Sequence, residues 1–283
     1  MTEAAIIGTD LVVAYGQTTA IARSSFSIPA GSVTAIIGPN GSGKSTLLNA
    51  IAGLIEPVSG SIEVLPLGGA PRRLSYVLQT TSVNEALPVS VREVVTMGRY
   101  AATGIYRRLT QVDQDAIEEA IHRMGIADIA SRHLHDLSGG QRQRAFVAQG
   151  LAQPHNILLL DEPLTGIDLT TAQAIDTVLH DETQRGCTIL LTTHDLSEAQ
   201  FSDHVVLISG RVVADGPPDD VLTADNLVAA YGPALLHVDD GGQLFVDDPH
   251  HSHLPGRHSH RERIIHTEAS PGDLHGSDDT HGH

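Results

Sequence analysis

Between residues 33 and 52 the chain reads as an aliphatic run, a glycine-rich turn and a helix, and this order restricts the fold more than any other feature. Val33 to Ile37 is short and uninterrupted, the pattern of a strand buried on both faces of a sheet. It runs into Gly38-Pro39-Asn40-Gly41-Ser42-Gly43-Lys44-Ser45-Thr46 and then into the helical run Thr46 to Ala52. The glycines let successive amide hydrogens aim inward, making an anion nest at the positive end of a helix. In such a nest Lys44 reaches the β- and γ-phosphates of a nucleotide, and Ser45 offers its hydroxyl to Mg²⁺. Strand, loop and helix in this order belong to an open α/β sheet that binds its ligand at the carboxyl ends of the strands.

A second apolar tetrad, Ile157 to Leu160, ends in Asp161-Glu162-Pro163 and places two carboxylates at another strand end. Asp161 is positioned to hold Mg²⁺ through water, and Glu162 to orient and deprotonate an attacking water. Between the two motifs, Leu137-Ser138-Gly139-Gly140-Gln141 precedes Arg142 to Ala152, a run of good helix formers. That segment presents Ser138 and free amides at a helix N-terminus, a second natural γ-phosphate site. The chain already has one such site, and no second phosphate loop appears, so the arrangement needs a second copy of the chain to be complete.

Residues 5–80 and 154–215 are rich in short aliphatic runs, among them Leu74 to Leu78 and Thr188 to Thr192, and read as buried strands of a largely parallel sheet. Residues 90–152 read as helical. Ile117, Ala120, Ile121 and Met124 share one face, while Ser90 with Glu93 and Thr110 with Asp113 stand at capping-box spacing. From 237 the sequence dissolves into Gly, Pro, Asp, Ser and His, which predicts a disordered tail over 237–283.

Composition removes several function classes. A formal net charge of -17 with no basic stripe argues against nucleic acid. The longest apolar stretches fall far short of the roughly 20 residues needed to cross a bilayer, and the N-terminus lacks the pattern of a secretion signal, so a cytoplasmic location is expected. The single cysteine, Cys187, opens an apolar segment and reads as a buried structural thiol.

Taken in order, these motifs resemble the nucleotide-binding subunit of an ATP-binding cassette (ABC) transporter over about residues 5 to 215. The resemblance implies a P-loop NTPase (RecA-like) fold spanning 1–236: an α/β core with a mostly parallel sheet, an antiparallel β subdomain, and a helical subdomain inserted at about 82–153. It implies a homodimer in which Ser138, Gly139, Gly140 and Gln141 act on the ATP held by the other copy. Tyr15 resembles the aromatic residue that stacks on adenine, and Gln79 the glutamine that touches Mg²⁺ and reports to the membrane partner. Asp168 resembles the loop aspartate at the dimer interface, and His194 the switch histidine beside the γ-phosphate. Glu162, His194 and Lys44 then form the catalytic set. Leu78 stands where many relatives have Pro, and Gly166-Ile167 where Ala-Leu is commoner.

The stretch from Ala86 to Tyr100 resembles zinc and manganese uptake ATPases, including an actinobacterial zinc-importer group. This second resemblance implies an ATPase at the inner face of the membrane, powering metal import through a separate permease with an extracytoplasmic metal-binding protein. Zinc is the first expectation and manganese or iron-siderophore cargo the alternative. The tail carries His250, His251, His253, His258, His260, His266, His275, His281 and His283 among acidic residues, a composition that fits either weak Zn²⁺ coordination or a solvated low-complexity segment. A metal sensor or metallochaperone built on that tail is the rival from another class.

Overall fold

The computed structural model describes residues 3–66, 71–79, 88–104, 108–232, 236–238 and 244–246. Two long strands, β1 (Ala4–Tyr15) and β2 (Thr18–Pro29), form an antiparallel hairpin. The glycine-rich segment then joins β3 (Val33–Ile37) to α1 (Lys44–Ile51). Next, β4 (Ser59–Val64) returns to pair with β1, which completes a three-stranded antiparallel sheet in the order β2-β1-β4.

After β5 (Leu74–Val77) come the three helices of the insert: α2 (Val91–Thr103), α3 (Gln111–Arg123) and α4 (Gly139–Ala152). The chain returns through β6 (Ile157–Leu160), α5 (Leu169–Gln184), β7 (Thr188–Thr193), α6 (Leu196–Gln200), β8 (His204–Ile208) and β9 (Val212–Gly216). Two short helices, α7 (Pro218–Val221) and α8 (Ala224–Tyr231), follow, and β10 (Leu236–Val238) pairs antiparallel with β11 (Leu244–Val246). The predicted core strands, antiparallel sheet and helical insert are all found. Of the predicted tail, 237–238 and 244–246 lie in this last strand pair, around the apolar Leu244-Phe245-Val246, and the rest falls outside the described residues.

The central sheet has the order β5-β6-β7-β3-β8-β9, parallel from β5 to β8, with β9 antiparallel at its edge. Each parallel strand is apolar on both faces because each face is covered. Along β6, Ile157 and Leu159 join the core under the antiparallel sheet and α1, whereas Leu158 and Leu160 join the core shared with α4, α5 and the helical insert. The period-2 alternation of a strand thus divides one aliphatic tetrad between two cores.

Boundaries move by a residue or two from the sequence reading, for local reasons. Helix α1 begins at Lys44 because Gly43, at φ 106°, turns the chain into it directly. Helix α4 begins at Gly139 and not Arg142, since Ser138 and Gln141 form a capping box that draws both glycines into the first turn. The capping boxes at Ser90 and Thr110 are likewise present, so Asp113 serves the role usually taken by Glu. Ile117, Ala120, Ile121 and Met124 are all buried.

One buried ion pair fastens the insert. Arg99 of α2 donates to Asp113 Oδ1 through Nε (2.9 Å) and Nη2 (2.5 Å), and to the carbonyl of Ala152 (2.8 Å) through Nη1. Three helices therefore meet on one guanidinium. Thr110 donors and Arg99 together hold the Asp113 carboxyl at about 2. Removing the arginine leaves this carboxylate without its cation. Arg99→Met should lower the urea midpoint of unfolding, and Arg99→Met with Asp113→Asn should recover part of the loss.

Candidate active site

The parallel strands bring their carboxyl ends together, so β3, β5, β6 and β7 deliver the loops that follow them to one edge of the sheet. Behind β3, the loop 38–46 is fixed by backbone proximity. A Cβ on Gly38 would run into the carbonyl oxygen of Ile208, and Gly210 N–H donates to the carbonyl of Ser42 (2.9 Å). Only glycine lets the loop lie this close to the turn after β8.

Within that loop Lys44 is buried, and its ammonium folds back to donate to the carbonyls of Gly38 (2.9 Å) and Pro39 (3.2 Å). Burial lowers its pKa, while the carboxylates of Glu162 and Asp161 pull it the other way. Ser45 Oγ donates to Asp161 Oδ1 at 3.1 Å, which joins the phosphate-loop helix to the end of β6. Among the described residues, Ser42 Oγ is buried without a hydrogen-bond partner.

The two carboxylates after β6 are held differently. Asp161 is buried, and its Oδ1 also accepts from Thr192 Oγ1 at 2.6 Å. Glu162 has a left-handed backbone, φ 49°, a conformation that costs a residue with a side chain about 1–2 kcal/mol. Its N–H donates to Thr192 Oγ1 (2.8 Å), and its Oε2 accepts from Gln79 Nε2 (2.8 Å). Asp10, at the same φ, lies far along the chain in β1, whereas at Glu162 the strain falls on a residue hydrogen-bonded to both neighbouring strand ends.

Of the other predicted residues, Tyr15 ends β1 and is 52% exposed, as a ring offered to a base would be. His194 lies exposed just after β7, next to Asp195, which caps α6. Pro39, Asn40, Gly41, Gly43 and Thr46 lie in the loop and first turn of α1. Ser138 to Gln141 open α4. Among the described residues, no hydrogen bond joins them to 38–46. Asp168 caps α5, accepting from Thr171 N (2.9 Å) and Thr171 Oγ1 (2.9 Å), which lowers its carboxyl pKa. The same carboxylate and Thr171 crowd Gly140, so the start of α5 and the start of α4 are in contact.

The protein-family model described as "ABC transporter" matches residues 21–165. The chelated iron transport system membrane protein of Yersinia pestis is 41% identical over 81% of this chain and 79% of its own length. The chain belongs to the ABC transporter family. The zinc transport system ATP-binding protein of Treponema pallidum is 40% identical, covering 79% of this chain and 85% of that protein. The manganese transport system ATP-binding protein of Bacillus subtilis is 38% identical, covering 82% and 94%. Among solved structures, a metal-chelate type ABC transporter in an inward-facing conformation superposes with a TM-score of 0.72 at 26% identity, over 86% of this chain and 96% of that one. As a member of this family the chain is an ATP-hydrolysing transport ATPase, and its fold is the P-loop NTPase fold of the family's ATPase domains.

Thr192 was not singled out in the sequence, although its hydroxyl bonds both the carboxylate of Asp161 and the backbone N–H of Glu162 in this ABC ATPase. A threonine at the end of an aliphatic strand carries no signal until the neighbouring strand is known. Thr192→Val keeps the side-chain shape but leaves the Glu162 N–H and one acceptor of Asp161 without this partner. It should cost about 1–3 kcal/mol in urea unfolding, and a change within about 0.5 kcal/mol, that of an ordinary surface substitution, would show that the hydroxyl holds nothing.

Proposed function

We infer that this chain powers uptake of a divalent metal ion, zinc before manganese or chelated iron, through a separate membrane permease. The observation that carries the reading is the meeting of Lys44, Ser45, Asp161, Glu162 and Gln79 at one sheet edge, in a chain whose relatives bear the names of iron, manganese and zinc transport proteins. No helix among the described residues is long and apolar enough to cross a membrane, in keeping with a permease on another chain.

ATP is the substrate, with Gly38 to Thr46 around its phosphates and Tyr15 against its base. A hydroxyl, a carboxylate and an amide oxygen from Ser45, Asp161 and Gln79 are hard oxygen donors of the kind Mg²⁺ takes, and Ser45 and Asp161 already touch. These three would hold the ion, which when bound neutralises charge on the phosphates. Lys44 exchanges its two loop carbonyls for phosphate oxygens. Glu162 accepts the proton of the attacking water, with Gln79 bonded to its carboxylate and His194 serving to orient it. Because Ser138, Gly139, Gly140 and Gln141 open a helix that does not bond to the chain's own loop, they serve the nucleotide of a second copy, with Asp168 beside them at the interface.

Helical insert and core are read as one ATPase domain over 1–236, with the His-rich tail as a solvated appendage that binds Zn²⁺ weakly. An extracytoplasmic metal-binding protein completes the importer. Zinc is placed first on the likeness of residues 86–100 to zinc-uptake ATPases; Ala86 and Leu87 in that stretch lie outside the described residues.

Four experiments test the reading. Lys44→Ala should abolish ATP turnover. Glu162→Gln should bind ATP with little change yet lose about 100-fold or more in kcat, and its ATP-loaded form should run as a dimer by light scattering. His194→Ala should impair hydrolysis more than binding. For the cargo, cells lacking the chain should accumulate less zinc with manganese and iron unchanged, and the reverse pattern would reassign the metal.

A further inference from the structure

At the opposite edge of the sheet, before β6 and β7 begin, three side chains of different chemistry converge. Ile157 pairs with Thr188, so His155, two residues ahead of β6, and Cys187, one residue ahead of β7, come to the same place. Glu182, in the last turn of α5, covers them. One ligand atom from each lies within 4.8 Å of the others, the only such group of His, Cys and acidic residues among the described residues. Glu182 and Cys187 are buried, and the His155 side chain is 6% exposed.

The hydrogen bonding around His155 is that of a ligand already oriented. Its Nδ1 lies 2.6 Å from the carbonyl of Gln153, which can only accept, so Nδ1 carries the ring hydrogen. A backbone carbonyl on one ring nitrogen is the usual support of a histidine that gives its other nitrogen to a metal. Here that other nitrogen, Nε2, faces Glu182 Oε2 at 2.9 Å. Two acceptor-type atoms at this distance require a proton between them. Burial raises the pKa of Glu182, but hydrogen bonds from His155 and Arg123 outweigh burial and hold its carboxyl at about 2. The thiol of Cys187 also keeps its proton, pushed up to about 12 by burial and by Glu182, and donates to the carbonyl of Thr188 at 3.6 Å.

We propose that His155 Nε2, Glu182 Oε2 and Cys187 Sγ form a binding site for a thiophilic divalent cation of the zinc class, separate from the nucleotide site. Nitrogen, oxygen and sulfur in a group of three are a donor set that zinc accepts with a fourth position open. Charge balances in the exchange: the dication enters, one proton leaves from between Nε2 and Oε2, and one leaves the thiol. That balance matters because Arg123 lies beside the site, 2.5 Å from the other oxygen of Glu182. The two carboxylate oxygens divide the work, Oε1 for the guanidinium and Oε2 for the metal. A cavity of about 220 Å³ lined by Arg99, Arg123, Gln153, His155, Glu182 and Arg185 gives entry and room for a water in the fourth position. The cations on its wall are each matched, Arg99 by Asp113, and Arg123 and Arg185 by Glu182, with Glu119 also bonded to Arg185.

Because Cys187 is the chain's single cysteine, a thiolate-to-metal charge-transfer band reports this site alone and is silent on the histidine-rich tail. Cobalt(II) titrated into the full, reduced chain should produce a saturable near-ultraviolet charge-transfer band, one equivalent per chain, displaced by zinc. His155→Gln should weaken cobalt binding by at least about tenfold, the loss that removal of even an outer supporting group brings, and Cys187→Ser should abolish the band. Absence of the band in the wild-type chain at millimolar cobalt overturns the proposal, whatever the stability of the variants. A band of equal affinity in His155→Gln overturns it too, since the thiolate would then be acting without its partners. Protection of Cys187 from a thiol reagent by zinc in the wild-type chain is the independent check, and no protection counts against the site.

Discussion

Asp161 Oδ1 accepts from two hydroxyls that the sequence places far apart: Ser45 at the start of α1 and Thr192 at the end of β7. Three elements of the sheet edge are thereby tied at one oxygen. Were this atom unsatisfied, a buried carboxylate would stand among the ends of parallel strands with nothing to offset its desolvation. Satisfied, it sets the height of the phosphate-loop helix against β6, and the position of β7 against both. The Lys44 ammonium, the Glu162 carboxylate and the hydroxyl of Ser45 take their mutual distances from this junction.

Around that junction the sheet is a partition between two cores. Ile157 and Leu159 belong to one and Leu158 and Leu160 to the other, so β6 is where the antiparallel sheet and the helical insert sense each other's packing. Beyond the shared core, the insert is tied to the rest of the chain by polar contacts such as Arg123 to Glu182 and Ser75 to the carbonyl of Gly150. Such contacts are directional and can be exchanged for others, whereas the aliphatic layers cannot be re-sorted without loss of the fold.

Most of the architecture is legible in the sequence because parallel strands buried on both faces leave continuous aliphatic runs, and because capping boxes mark helix starts by chemistry and not by average propensity. Val33 to Ile37, Ile157 to Leu160 and the starts of α2 and α3 are of this kind. The start of α4 lies three residues earlier than its helix formers suggest, since two glycines look unlike a first turn until Ser138 and Gln141 are seen to bracket them. The residues of the loop 38–46 and of Asp161-Glu162 stand out by spacing alone. Thr192, the Gln79 to Glu162 hydrogen bond and the His155, Glu182 and Cys187 group do not, because each depends on which strand lies beside which. Strand order β5-β6-β7-β3-β8 is a property of the folded chain, and no periodicity within one segment encodes it.

Gln79 lies just beyond the end of β5, and its amide occupies Oε2 of Glu162. An oxygen engaged this way has one fewer acceptor position for a water. Under the proposed mechanism, the readiness of Glu162 to act on a water depends on where this neighbouring segment of chain sits. In that mechanism hydrolysis would be throttled by displacement, as an escapement releases a wheel.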